Sequence, residues 1–164
     1  MPKLDTGKVQ IYTGDGKGKT TAAIGLMFRA SGYGLRTKMY QFIKKMHCSE
    51  HEAADRLGFE IIQAKAQDPR EAVREILSNA SRDLENDSLD LLIIDEVGEA
   101  LRRGYLSRSD IETLIELKSD TCELVLTGRG LIEPLGDLAD LITEMKAVKH
   151  YFDQGLLARK GIEY

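Results

Sequence analysis

VQIYTGDGKGKTT, residues 9–21, is the stretch of the chain that decides its fold. Its first four residues predict a β-strand, and a segment with apolar residues at helical spacing follows the glycines. Glycines let successive backbone N–H groups turn inward, and the first N–H groups of a helix add partial positive charge. A strand, a glycine-rich turn and a helix in this order therefore predict a binding site for phosphate.

The spacing within this loop is close to the phosphate-binding pattern G-x-x-x-x-G-K-[ST]. Thr13 stands where that pattern has its first glycine, and Lys17 adds a second cation. An ordinary glycine-rich turn is the alternative, but the strand before the loop and the helix after it favour phosphate. We expect Lys19 to reach phosphate oxygens and the Thr20 hydroxyl to bind magnesium. The predicted nucleotide-binding residues are Thr13, Gly14, Asp15, Gly16, Lys17, Gly18, Lys19, Thr20 and Thr21.

Two carboxylates, Asp95 and Glu96, follow the apolar run Leu91–Ile94. The carboxyl ends of parallel strands and the glycine loop lie at the same edge of such a sheet, so the two motifs are expected to meet. Carboxylate oxygens are ligands that Mg²⁺ prefers. The alternative is a solvated pair that caps the next helix. With the glycine loop present, we predict a magnesium site formed by Thr20, Asp95 and Glu96.

The rest of the chain alternates short apolar runs with helix-length amphipathic segments, which is typical of βαβ units around a parallel sheet. Helix starts are predicted from a capping box of Ser49 with Glu52, from Asp68 followed by Pro69, and from Ser109 with Glu112. The expected fold class is α/β, with residues 1–164 forming one domain. Predicted strands cover 9–12, 38–43, 59–62, 89–94, 123–126 and 141–145, and predicted helices cover 19–30, 49–57, 69–84 and 109–117.

Composition excludes several classes of protein. None of the 164 residues belongs to an apolar run of about 18, so we expect no membrane span, and MPKLDTGKV has no apolar stretch of a secretory signal. Two cysteines cannot form a disulfide framework, which favours a reduced, cytoplasmic protein. The net charge of −4 argues against nucleic acid as a partner.

Charge is unevenly distributed along the chain. Residues 1–46 hold nine Lys and Arg against Asp5 and Asp15, a net of 9 − 2 = +7, and the remainder holds 14 against 25, a net of −11. A basic opening quarter on an acidic protein indicates a local anionic ligand. Chance clustering of solvated lysines is the alternative on charge alone.

Four motifs together resemble one family. They are TGDGKGKTTAA, the strand ending in Asp95-Glu96, LVLTGRG at Leu124–Gly130 and VKHYFDQGLLARKGIEY at Val148–Tyr164. In combination they are similar to the corrinoid adenosyltransferases of the CobA/BtuR/CobO type, which act on cob(I)yrinic acid a,c-diamide or cob(I)alamin. The tail distinguishes this family from other P-loop proteins, because many of those proteins share the first two motifs.

The resemblance implies a RecA-like P-loop fold and a concrete activity. Such enzymes transfer the 5′-deoxyadenosyl group of ATP to reduced corrinoid cobalt and release triphosphate. By resemblance, Lys19, Arg129 and Glu96 are the expected catalytic residues, with Arg129 countering triphosphate charge and Glu96 binding Mg²⁺ beside Asp95. The implied partners are ATP, a reduced corrinoid, a second copy of the chain in a homodimer and a flavoprotein reductase.

The segment between the second strand and the acidic strand departs from the family. Members usually carry an aromatic Gly-Phe-Thr-Trp-like motif that faces the corrin, whereas KKMHCSEHEAADRLGFEIIQAKAQDPREA contains only Phe59. The missing aromatic motif leaves open a non-catalytic ATP- or corrinoid-binding relative, and the general phosphate-loop motif leaves open a P-loop phosphotransferase or NTPase.

Three further features could suggest function, and each also has a structural interpretation. His47, Cys48 and His51 have spacing that could suit a metal, but a solvated loop and helix start is favoured. Cys122 is expected to be a small buried residue. His150 either approaches the nucleotide or corrin, or fixes the tail by hydrogen bonds.

Overall fold

The computed structural model describes residues 3–43 and 47–164. Six strands form one sheet: β1 Val9–Thr13, β2 Thr37–Gln41, β3 Glu60–Gln63, β4 Leu91–Asp95, β5 Glu123–Thr127 and β6 Leu141–Glu144. Their order is β3-β2-β4-β5-β1-β6, and each neighbouring pair is parallel. The predicted α/β class with a parallel sheet flanked by helices, the arrangement of a RecA-like P-loop fold, is confirmed.

Helices connect the strands and cover the sheet. They are α1 Lys19–Tyr33, α2 Ser49–Leu57, α3 Pro69–Glu85, α4 Val97–Arg102, α5 Arg108–Leu117 and α6 Ile132–Leu135, with 3₁₀ turns at Gly136–Leu138 and Tyr151–Gln154. Among the described residues, no helix combines the length and the apolar character needed to cross a membrane. Lys44 and Lys45, which contribute to the basic opening quarter, lie outside the described residues.

The core lies on both faces of the sheet, and β4 runs through its middle. All five residues of β4 are buried, which is typical of a parallel strand covered on both sides. Leu92 and Ile94 pack into the cluster under α3 and α5, whereas Leu91 and Ile93 pack into the cluster under α1. Asp95 is the last residue of β4, so it lies at the carboxyl edge of the sheet, between the two packed layers.

Two predicted capping boxes were placed wrongly. Cys48, not Ser49, is the N-cap of α2, and the His51 ring accepts a hydrogen bond from the Cys48 backbone N–H at 2.9 Å. Ser107, not Ser109, caps α5 and pairs with Asp110. In both cases the N-cap lies one or two residues before the predicted one, at another residue whose side chain can cap a helix. The Asp68 cap of α3 is confirmed, with its carboxylate accepting the N–H groups of two following residues.

Two helices differ from the sequence prediction. α1 continues through Gly32 and ends at Gly34, whose φ of 90° is the left-handed conformation that glycine adopts readily. α4 was not predicted, because it is only six residues long and begins directly after the acidic pair. Glu96 is its N-cap at a φ of 64°.

Candidate active site

The phosphate loop connects β1 to α1 against the end of β6. A Cβ on Gly14 would lie 2.3 Å from the Met145 carbonyl oxygen, and one on Gly16 would lie 2.7 Å from it. The Gly16 N–H donates to the same carbonyl at 2.7 Å. Glycine is therefore required at both positions by the approach of β6, and Gly18 starts α1 at a φ of 119°.

Lys19 is folded back into the loop. Its ammonium group donates to the backbone carbonyls of Gly14 at 2.8 Å and Gly16 at 2.7 Å. Burial, followed by the positive charge of Arg129, lowers the pKa of Lys19. The side chain thus holds the loop in shape and places a half-buried cation at its centre.

Asp95 anchors the loop to the middle of the sheet. Its carboxylate is fully buried, and one oxygen accepts the Thr20 hydroxyl at 2.8 Å and the Thr127 hydroxyl. The other oxygen accepts the Gln41 amide at 3.1 Å. Because both oxygens are engaged inside the protein, Asp95 acts on the cavity through Thr20 rather than by facing it.

A cavity of about 320 Å³ lies over the loop. It is lined by residues 15–21, Glu96, Arg129 and three residues of the tail, His150, Ile162 and Glu163. The loop, the acidic pair, the TGRG motif and the tail motif therefore meet at one place. The predicted residues that do not line this cavity are Thr13, Gly14 and Asp95, of which Thr13 and Asp95 are buried.

Arg129 extends over the loop from the β5 end. Its guanidinium lies 3.9 Å from the Asp15 carboxylate, and its side chain is 73% exposed. The backbone beneath it is tightly packed, because a Cβ on Gly98 would lie 2.0 Å from the Arg129 carbonyl oxygen. α4 thus supports the TGRG turn while leaving the guanidinium open to an anion.

The C-terminal tail closes one side of the cavity. Lys17 pairs with the Glu163 carboxylate at 3.1 Å, and Glu163 also accepts the Arg159 backbone N–H at 2.7 Å and the Tyr151 hydroxyl. His150 lines the cavity and accepts the Phe152 N–H at 3.0 Å, which confirms that it fixes the tail by a hydrogen bond. Glu163 lies within the tail motif, but the sequence alone does not reveal its contact with Lys17, which is 146 residues away in the chain.

Helix α2 begins with a cluster that the sequence interpretation described only in part. Cys48, Glu50 and His51 bring one possible ligand atom each within 4.8 Å of one another, whereas His47 stacks on His51 with ring centroids 5.1 Å apart. Cys48 and His51 are 2% and 6% exposed, so the expectation of a solvated segment is wrong for these two. Both ring nitrogens of His51 are engaged in hydrogen bonds within the protein.

Comparison with known proteins agrees with these motifs. Residues 5–164 match the family described as ATP:corrinoid adenosyltransferase BtuR/CobO/CobP. The chain belongs to this family. Members of this family are transferases, and the match covers nearly the whole length of the chain.

Individual relatives align over almost the full chain. A corrinoid adenosyltransferase of Escherichia coli K12 is 32% identical over 98% of this chain and 87% of its own length. One from Salmonella typhimurium LT2 is 30% identical with the same two coverages, and one from Pseudomonas aeruginosa PAO1 is 29% identical over 98% and 85%. The resemblance inferred from the four motifs is thereby confirmed.

Proposed function

We propose that the protein transfers the 5′-deoxyadenosyl group of ATP to the cobalt of a reduced corrinoid and releases triphosphate. The observation that carries this proposal is the single cavity in which the glycine loop, Glu96, Arg129 and the family's tail converge. The pairing of that cavity with a family match over residues 5–164 favours it over a generic nucleotide site.

Charge stabilisation is the main task of the loop in this reaction. As the bond between the ribose 5′-carbon and the triphosphate oxygen breaks, negative charge grows on the leaving group. The α1 N-terminus, Lys17, Lys19 and Arg129 supply fixed positive charge where that growth occurs. Reduced cobalt brings its own electron pair, so the reaction needs no general base.

We propose that Mg²⁺ accompanies ATP, held by Thr20 and Glu96. A hydroxyl and a carboxylate are the hard oxygen donors that this ion prefers, and both residues line the cavity. The Thr20 proton is committed to Asp95, which leaves the oxygen lone pairs available to a cation. Bound Mg²⁺ would neutralise triphosphate charge. Asp95 belongs to this site as the residue that fixes Thr20.

A second candidate is a non-catalytic ATP- or corrinoid-binding relative. Phe59, the aromatic residue of the segment that departs from the family, packs edge-to-face on Phe28 of α1 at 6.2 Å between ring centroids. It precedes β3 and so lies at the opposite edge of the sheet from the phosphate loop. Apolar coverage of a corrin by this residue is not available in that position.

The partners are proposed on the resemblance, and the location on the two cysteines, which cannot form a disulfide framework. We infer a homodimer, a flavoprotein reductase that supplies the reduced cobalt, and a cytoplasmic location. The whole chain, residues 1–164, is proposed to act as one ATP-binding domain.

The proposed activity is tested by incubating the protein with magnesium-ATP and chemically reduced corrinoid. A cobalt–carbon product in the corrin spectrum together with triphosphate is expected. Orthophosphate formed without corrinoid would instead identify an NTPase, and ATP binding without turnover would favour the non-catalytic relative.

Lys19→Ala is the matched loss-of-function variant. We expect a loss on the order of 100-fold in kcat, because the cation at the centre of the loop, proposed to stabilise the leaving group, is removed. Lys8→Ala is the control, since its side chain is 57% exposed at the far end of β1. Retained turnover in Lys19→Ala would contradict the site assignment.

A further inference from the structure

A row of buried polar side chains runs from the phosphate site to helix α2. The Gln41 amide nitrogen donates to Asp95 at 3.1 Å, and its carbonyl oxygen lies 2.8 Å from His51 Nε2. Gln41 is 1% exposed, His51 6% and Asp95 fully buried. Buried polar groups arranged this way fix one another's orientation, since a reversed partner leaves a donor or an acceptor unpaired.

The direction of this row is set at its outer end by a backbone group. The Cys48 N–H points at His51 Nδ1 at 2.9 Å, while the Cys48 carbonyl oxygen is more distant at 3.3 Å. A peptide N–H can only donate, so Nδ1 accepts and the ring proton lies on Nε2. Nε2–H then donates to the Gln41 carbonyl, which directs the Gln41 amide hydrogens towards Asp95.

The inner end of the row demands the same orientation. The buried Asp95 carboxylate accepts from Gln41 on one oxygen and from Thr20 on the other. Register explains how the pieces meet, because Gln41 and Asp95 are direct partners at the ends of the adjacent strands β2 and β4. Gln63, on β3, also donates to the Gln41 carbonyl at 3.3 Å.

We propose that His51 is a positioning residue for the metal site. Acting through Gln41, it orients Asp95 and thereby the hydroxyl of Thr20, which lines the cavity and is proposed to hold the cation. The identity of that cation as Mg²⁺ rests on the proposed function.

Two substitutions that differ by one methylene separate this role from simple helix capping. In His51→Asn the side-chain oxygen can still accept the Cys48 N–H, but the side chain is too short to reach Gln41. In His51→Gln the longer side chain can place an amide N–H near the Gln41 carbonyl. Both variants retain a capping group at the start of α2, so both are expected to fold, which thermal unfolding checks.

The measurement is the affinity for ATP by calorimetry, with Mg²⁺ and with a chelator in its place. For His51→Asn we expect the magnesium-dependent gain in ATP affinity to fall about tenfold, the usual effect of losing an outer-shell partner of a metal site. Affinity without magnesium is expected to stay within about twofold of the unsubstituted protein, and His51→Gln is expected to recover most of the magnesium effect.

Three results would overturn the proposal: an unchanged magnesium effect in His51→Asn, an equal loss with and without magnesium, or no recovery in His51→Gln. Gln41→Leu adds an independent check. If His51 acts through Gln41, the double variant His51→Asn/Gln41→Leu loses no more than Gln41→Leu alone, and additive losses would contradict the relay.

These assays contain no corrinoid, so they remain distinct from the test of the proposed function. Should the protein bind magnesium-ATP without transferring adenosyl groups, the proposed function would fail while the role of His51 could still be confirmed. If Mg²⁺ adds nothing to the ATP affinity of the unsubstituted protein, the proposed role of His51 is wrong.

Discussion

The Thr13 hydroxyl accepts a hydrogen bond from the Leu131 backbone N–H at 3.2 Å. Both residues are buried, with exposures of 1% and 0%. The residue that departs from the usual glycine of the phosphate-loop pattern therefore links β1 to the turn that follows the TGRG motif. Its side chain is buried in the interior.

This contact predicts that restoring the consensus glycine harms the protein. Thr13→Gly removes the acceptor of a buried N–H, so we expect the free energy of unfolding to fall by about 1–3 kcal/mol in denaturant titration. Thr13→Ser keeps the hydroxyl and is expected to lose much less. Equal stability of the Gly and Ser variants would show that the hydroxyl contributes nothing.

A pair of glycine substitutions tests the packing beneath Arg129. In Gly98→Ala the new methyl group meets the Arg129 carbonyl at 2.0 Å, which forces the TGRG turn to move. We expect a loss of stability of about 1–3 kcal/mol, together with weaker ATP binding. The control is Gly25→Ala within α1, where no atom lies within 4 Å of the added Cβ and a gain of about 0.5–1 kcal/mol is expected. Unchanged ATP affinity in Gly98→Ala would separate the turn from the site.

The contact between the tail and the loop carries a pH prediction. Hydrogen bonds from Arg159 and Tyr151 hold the pKa of Glu163 well below its ordinary value of 4.5. A carboxylate with a lowered pKa stabilises the docked tail above 4.5 and loses that effect as pH falls through the lower, folded-state pKa. Protection of residues 151–164 from hydrogen exchange should therefore persist down through pH 4.5, once the intrinsic exchange rate is corrected for.

Glu163→Gln removes the charge from the same contact. Faster exchange of the tail is expected at neutral pH, because Lys17 and Arg159 both lose an anionic partner. Glu116→Gln on the exposed face of α5 is the matched control. A tail that stays equally protected in both variants would place its anchoring elsewhere.

Cys122 is predicted to be chemically silent in the folded protein. It is 2% exposed, and burial raises the pKa of its thiol to about 11. Only about one part in a thousand is then thiolate at about pH 8, and the thiolate is the reactive form. Alkylation followed by peptide mapping should find Cys122 unmodified under native conditions and modified in guanidinium chloride. Rapid native labelling at pH 8 would contradict this burial.

Much of the fold could be predicted because its signals are local. The apolar run that ends at Asp95 and the glycines before Lys19 specify a strand and a loop whatever surrounds them. Helix starts were less predictable, since Ser49 and Ser107 both lie among several residues with capping groups, and tertiary packing selects among them. α4 was not predicted, because a helix of six residues is too short to show a clear helical spacing of apolar residues.

The deeper parts of the site depend on relationships that a sequence does not state. Gln41 meets Asp95 because β2 and β4 are neighbours although β3 lies between them in the chain. Lys17 meets Glu163 across a separation of 146 residues. By contrast, Lys19 and Glu96 could be named in advance, because their motifs follow strands that end at one edge of the sheet, and Arg129 could be named from the family resemblance.

The approach of Met145 to Gly14 and Gly16 limits how small a working fragment of this protein can be. A chain truncated after β5 would keep the whole loop motif and most of the sheet, but it would lack the Met145 backbone against which the loop packs. Recombinant fragments or fusions designed around the first five strands should therefore fold in part and bind nucleotide poorly. The smallest useful unit extends at least through residue 145, at the far edge of the sheet.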